Sequence, residues 1–237
     1  MSSTISSSPQ PSEPLDSTSS HPRSTGHAHH PDASKERFPP ARAPATPELA
    51  SLKIKIQQSL RQYPDFPTPG ILFEDILPLF QDPELHESLV RALELHITTH
   101  YPKKQGKNPD IIVGLEARGF LFGPSLALRL GAGFVPVRKQ GKLPGRTETA
   151  AYEKEYGQDF FQIQADAIKP GQKVLVIDDI IATGGSAAAT GSLVKKLGGT
   201  LLGYVFILEL DFLKGREKLD ASVYTLLSSQ EGPPKES

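Results

Sequence analysis

The sequence predicts an α/β fold with a mostly parallel central sheet flanked by helices, and three observations carry that expectation. Short apolar runs stand at Ile111-Ile112-Val113, Phe134-Val135-Pro136-Val137, Val174-Leu175-Val176-Ile177 and Leu201 through Leu208, which is how strands buried on both faces read. Helical patterns separate some of these runs, near Leu121 to Leu130 and Ser186 to Leu197. The chain has 237 residues, enough for one sizeable core and marginal for two.

Taken in order, residues 1–45 are rich in Ser, Pro and His, with no aromatic before Phe38 and only Ile5 and Leu15 as large aliphatic groups before it. Such a stretch cannot bury enough apolar surface to offset ordering its backbone, so a disordered tail is expected ahead of one domain over 46–237. His27, His29 and His30 are expected to be solvated rather than metal-bound. Order should begin at Thr46-Pro47-Glu48, where Thr can cap, Pro fits the first helical position and the acid complements the helix dipole. Leu49, Leu52, Ile56 and Leu60 then repeat with helical spacing. A second start, Asp82-Pro83-Glu84, precedes Leu85, Leu89, Leu93 and Ile97, again one apolar face. Residues from about Gly141 to Gly157 show no clear period and are expected to form a long loop, a common form of lid. Phe161-Gln162-Ile163-Gln164 alternates and suits a half-exposed strand near a sheet edge.

Composition excludes several classes. Lys and Arg number 26 against 27 Asp and Glu, so bulk electrostatics gives no reason to expect a nucleic-acid or membrane-surface partner. Cysteine is absent, which removes disulfides, thiolate zinc sites and a cysteine nucleophile, and suits a reducing compartment. No apolar run reaches the ~18 residues of a membrane span, and the tail's basic residues Arg23, Lys35, Arg37 and Arg42 are matched by Glu13, Asp16, Asp32 and Glu36, a poor transit peptide. A soluble, cytoplasmic protein is expected.

Chemistry concentrates after the run Val174 to Ile177. There Asp178-Asp179-Ile180-Ile181-Ala182-Thr183-Gly184-Gly185-Ser186 leads into a helix with Ala187, Gly191, Val194 and Leu197 on its inner face. Paired glycines let the backbone turn tightly and approach an anion. Thr183 and Ser186 add hydroxyl donors, and the helix start presents free amides and a positive dipole end. This pattern is neither a lysine-bearing P-loop nor a dinucleotide fingerprint. Two adjacent carboxylates would repel the phosphate unless they face ribose hydroxyls or a divalent cation. Read blandly, the two acids only end a strand and the glycines only make a turn. Arg118 ends the buried run that begins at Ile111, where a guanidinium can clamp pyrophosphate oxygens; it can also be read as a surface arginine in a turn.

Residues 174–186 resemble the phosphoribosyl-pyrophosphate signature of the type I phosphoribosyltransferases. Phe66 to Phe73, Gly114 to Pro124, Arg138 to Pro144, Glu155-Tyr156-Gly157 and Leu213 to Leu219 further resemble, in order and spacing, the adenine-using branch of that family, over roughly Tyr63 to Leu219. The resemblance implies the family fold, with a small N-terminal hood and a flexible lid loop. It implies purine salvage by transfer of 5-phosphoribosyl from phosphoribosyl pyrophosphate to adenine, giving AMP and pyrophosphate with inversion at the anomeric carbon. It also implies a homodimer, and magnesium held mainly through substrate and water rather than by a protein metal site. Ala182, Thr183, Gly184, Gly185 and Ser186 would then bind the phosphate, and Asp178 and Asp179 the ribose, with Asp179 catalytic. Arg118, Arg138, Lys139 and Lys142 would meet pyrophosphate. Leu72, Phe73, Glu74 and Ala182 would contact adenine, and Glu155 would relay a purine proton as the second catalytic group. Read without the resemblance, Glu155 is one more exposed acid, the three cations are a solvated face and Phe73 is simple core. Position 74 is an acid where several family members carry a basic residue, which matters only if the contact runs through the side chain. Xanthine, hypoxanthine or orotate as acceptor, or a non-catalytic sensor of the donor, are the competing expectations; the sensor is disfavoured because no basic helix-turn-helix segment is present.

Overall fold

The protein is described by a computed structural model covering residues 46–66, 69, 72–153 and 157–229, with backbone alone at Glu153 and Ser229. The expected tail at 1–45, with its histidines, and Glu155 lie outside the described residues.

Both predicted helix starts form through the expected caps. In α1 (Pro47–Gln58) the Thr46 hydroxyl accepts from the Leu49 amide at 3.3 Å and Pro47 takes the first turn. A hairpin follows, β1 (Arg61–Pro64) antiparallel to β2 (Leu72–Asp75), then a short α2 (Pro78–Gln81). The Asp82 carboxylate accepts from the amides of Glu84 and Leu85, at 2.7 and 3.2 Å, and opens α3 (Pro83–His100). Leu89, Leu93 and Ile97 of that helix are fully buried, as their spacing predicts, and Leu85 packs at the margin.

The α/β core runs β3 (Ile111–Leu115), α4 (Gly119–Leu130), β4 (Gly133–Lys139), β5 (Thr147–Glu153), β6 (Gln158–Gln164), β7 (Lys173–Ile181), α5 (Gly185–Lys196), β8 (Thr200–Leu210) and β9 (Ser222–Ser229). The sheet order is β5-β6-β4-β3-β7-β8-β9. The five strands from β4 to β9 in that order are parallel, and β6 and β5 continue the sheet antiparallel. Side chains alternate across it. Ile112, Leu175, Ile177, Val205 and Ile207 pack under α1 to α4, whereas Ile111, Val113, Val174, Val176 and Phe206 pack under α5. Each such side chain, fully buried, stabilises the fold by about 1.5–3 kcal/mol.

One expectation is corrected. The stretch read as one long loop contains β5, paired with β6 from Thr147↔Gln164 to Glu153↔Gln158. Its pattern of Thr, Ala and charge carries no strand period of its own, and the pairing with β6 makes it a strand. The strand over Phe161 to Gln164 forms as expected near the sheet edge, one place in beside β5, with Phe161 and Ile163 buried and the two glutamines half-buried. β9 was not foreseen either.

β3 feeds through α4 to β4 on one side, and β7 feeds through α5 to β8 on the other. The carboxyl ends of the adjacent strands β3 and β7 therefore flank a topological switch point, the crevice where α/β sheets bind ligands.

Candidate active site

At that crevice β7 delivers the acid pair. Asp179 is buried, with 3% of its surface accessible, and Asp178 is half-buried, its Oδ1 accepting from the Asp179 amide at 2.9 Å. From the end of β3, the half-exposed Arg118 reaches in and sets its Nε 2.9 Å from Asp179 Oδ2. Burial pushes the Asp178 carboxyl well above the usual carboxylate range, and the neighbouring Asp179 charge pushes it further. Asp179 is also raised by burial, against the lowering effect of Arg118, so desolvation outweighs the one guanidinium. With both carboxyls raised, the pair favours partners that donate hydrogen bonds or positive charge.

Beyond the pair, residues 182–184 turn into α5. Gly184 has φ +79°, and a Cβ there would lie 2.3 Å from the Gly215 carbonyl oxygen, so this turn needs glycine for both conformation and space. No side chain among the described residues caps α5, whose first amides lack intrahelical acceptors and lie beside the exposed Thr183 and the half-buried Ser186. Gly185 opens the helix, and Ala182 joins its turn to β7. This is an anion cradle at a helix start.

A pocket of about 220 Å³ adjoins the pair. Leu72, Phe73, Glu74 and Ile76 form one wall, and Arg118, Asp179, Ile180, Leu208 and Leu210 form the rest. The Phe66 ring meets Phe73 edge-on with centroids 5.1 Å apart, and Gln62 donates to the Glu74 carboxylate at 3.3 Å across the hairpin. An apolar slot beside a charged edge suits a flat heterocycle.

Leu72, Phe73, Glu74, Arg118 and Asp179 are thus brought together, with Asp178 and residues 182–186 adjoining. Arg138, Lys139 and Lys142 are not in the pocket wall. Arg138 donates to both oxygens of Glu116, at 3.2 and 3.0 Å, and to the Lys142 carbonyl at 3.2 Å, while Lys139 and Lys142 are exposed. Glu116 also accepts from the Lys139 amide at 3.0 Å, and Arg138 holds its carboxyl below the usual range. Sequence reasoning missed Glu116 as the tie between the ends of β3 and β4, although it stands two residues before Arg118. It also missed Ile76, Ile180, Leu208 and Leu210 as pocket wall. Ile180, Leu208 and Leu210 sit at carboxyl ends of parallel strands, which was the available signal.

The phosphoribosyl transferase domain family matches residues 86–235. The adenine phosphoribosyltransferase of Yarrowia lipolytica is 62% identical over 183 residues, covering 77% of this chain and 99% of that protein. The adenine phosphoribosyltransferase of Saccharomyces cerevisiae, solved with adenine and an imino-altritol bisphosphate, superposes with a TM-score of 0.73 at 58% identity, over 75% of this chain and 99% of that one. The Trypanosoma brucei adenine phosphoribosyl transferase, solved with AMP, pyrophosphate and ribose-5-phosphate, gives a TM-score of 0.66 at 27% identity, over 78% and 84%. An acid pair, an anion cradle and an apolar slot at one switch point, in a chain this similar over most of its length, place the protein in the adenine phosphoribosyltransferase family.

Proposed function

We propose that the protein transfers the 5-phosphoribosyl group of phosphoribosyl pyrophosphate to adenine, releasing pyrophosphate and forming AMP. The observation that carries this reading is the meeting, at the end of β7, of the cradle at 182–186, the acid pair Asp178 and Asp179, and the pocket under Leu72 to Glu74. In the reaction the bond from the anomeric carbon to pyrophosphate breaks, a bond to a purine ring nitrogen forms with inversion, and that nitrogen loses its proton. The cradle amides, Thr183 and Ser186 hold the 5-phosphate. Asp178 and Asp179 take the ribose hydroxyls and stabilise positive charge developing on the sugar, an effect strengthened where water is excluded. Arg118 releases part of its hold on Asp179 to meet the departing pyrophosphate. Among the described residues β2 pairs with β1 alone, so its other edge can offer backbone groups to the base while Gln62 occupies the Glu74 side chain. Glu155 as relay of the purine proton rests on the resemblance alone.

Magnesium fits this site as an ion carried by the donor. Asp178 and Asp179 at the end of β7 are hard oxygen donors that would meet such an ion through water. Bound with the donor, the ion would neutralise pyrophosphate charge. A cytoplasmic homodimer completes the reading. Absence of cysteine fits a reducing compartment, and Leu121 and Leu128, 41% and 81% exposed on α4, offer apolar surface for a second copy to cover.

The test is product formation from labelled adenine, donor and magnesium, with hypoxanthine, guanine, xanthine and orotate in parallel. AMP from adenine alone is expected. A product from another base would replace adenine as acceptor, and saturable donor binding with no product from any base would leave a sensor in place of an enzyme.

A further inference from the structure

We propose that Arg216 and Glu209 are positioning residues for the 5-phosphate cradle, a role that rests on the reaction proposed above. Glu209 lies on β8 between Leu208 and Leu210, both pocket wall, and is itself buried, with 5% of its surface accessible. Arg216 Nε lies 2.6 and 2.7 Å from the two Glu209 oxygens, Nη1 donates to the Val223 carbonyl at 2.8 Å, and Nη2 donates to Thr225 Oγ1 at 2.7 Å. The Thr225 hydroxyl in turn donates to Glu209 at 3.0 Å. The guanidinium is therefore held from β8 and β9 together.

The residue before Arg216 is Gly215, and it is the wall behind the cradle. A Cβ on Gly215 would stand 2.3 Å from the Ala182 carbonyl oxygen and 2.9 Å from the Gly184 nitrogen, and a Cβ on Gly184 would stand 2.3 Å from the Gly215 oxygen. The two backbones rest on each other, so whatever fixes Arg216 fixes the surface against which residues 182–184 turn. A buried ion pair adds little stability beyond an apolar pair of the same size, but its hydrogen bonds set direction. At this position direction is what the cradle needs, because anion-binding amides must be held close to their productive geometry.

The test separates phosphate binding from base binding in Arg216→Lys, which keeps the charge and loses the fork of donors, and in Gly215→Ala, which wedges the wall directly. Calorimetry with AMP and with adenine is run on each, together with steady-state KM for the donor. Both variants are expected to raise the AMP Kd and the donor KM about tenfold while leaving the adenine Kd within about twofold. Thr225→Val, which removes one donor and one acceptor from the clamp, serves if Arg216→Lys does not fold, and should weaken AMP about threefold with adenine unchanged. Equal losses for AMP and adenine would mean a general structural role and overturn the proposal, as would unaltered AMP binding in a folded Arg216→Lys. A wild-type protein that binds AMP and adenine yet forms no AMP would reject the reaction, while the AMP and adenine split still decides the positioning role; wild-type protein that binds no AMP overturns both.

Discussion

At the scale of single residues, the acid pair sets opposing demands on stability and function. Burial raises the Asp178 carboxyl, so the folded protein holds that proton more tightly than the unfolded chain. The associated stability is fully present below the ordinary carboxylate pKa and is lost as pH rises through the raised folded value. At neutral pH Asp178→Asn should therefore raise the melting temperature of the ligand-free protein, by about 2–4 °C for a chain of this size, while weakening donor binding. A melting temperature that falls would contradict the burial cost assigned to this carboxyl. Asp179, paired with Arg118, carries the catalytic share in the reaction proposed above. Asp179→Asn is expected to lower kcat about a hundredfold with a smaller change in donor KM, measured by steady-state kinetics. Equal losses in binding and turnover would contradict that role, and a raised donor KM with kcat unchanged would assign Asp179 to ground-state binding alone. The pair was legible in the sequence because both acids sit in one short motif. Glu116 was not, because its meaning comes from Arg138, 22 residues away, and from the Lys139 amide.

At the scale of elements, segments that carry their own signals were read and those that borrow them were not. Caps and apolar spacing located α1 and α3, and Asp82→Ala should cost about 1 kcal/mol in urea unfolding, since two amides lose their acceptor. Little or no change in the unfolding midpoint would show that packing of Leu89, Leu93 and Ile97 holds this helix start unaided. The turn into α5 is a stricter case. Gly184→Ala forces a side chain into a left-handed backbone and against the Gly215 carbonyl, and it should raise the donor KM at least about tenfold while adenine binding holds. Retained donor affinity would remove residues 182–184 from the phosphate site. β5, by contrast, has no pattern of its own and exists because β6 offers a partner along its full length, with Ala150 and Tyr152 packed towards the cluster under α5. No reading of residues 141–157 in isolation could supply that partner.

At the scale of the whole molecule, α3 and β9 meet through a buried aromatic stack that couples the fold to pH. The His96 ring stacks on Tyr224 at 3.2 Å and on His100 at 3.9 Å. Burial, and then the charges of His100 and Lys53, hold the His96 pKa down to about 3. An unfolded histidine titrates near 6.5, so this contribution is intact above about pH 6.5 and is lost as pH falls through that value towards 3. Between pH 7 and 5 the unfolding free energy should fall by up to about 2 kcal/mol from this site, and His96→Phe should remove most of that slope in denaturant titrations. Parallel slopes for wild type and variant would show that His96 is not the group that titrates. The sequence by itself determined the α/β class, the helix starts, the inner strands and the run of acid pair and glycine turn into a helix, because each is written in neighbours along the chain. Only the tertiary structure decided the order of the strands, the existence of β5 and β9, the pocket wall shared by Leu72 and Leu210, and the clamp of Arg216 on Glu209 behind the cradle. These depend on contacts between segments far apart in sequence, and such contacts are set by how the faces of the sheet are covered rather than by any local spacing.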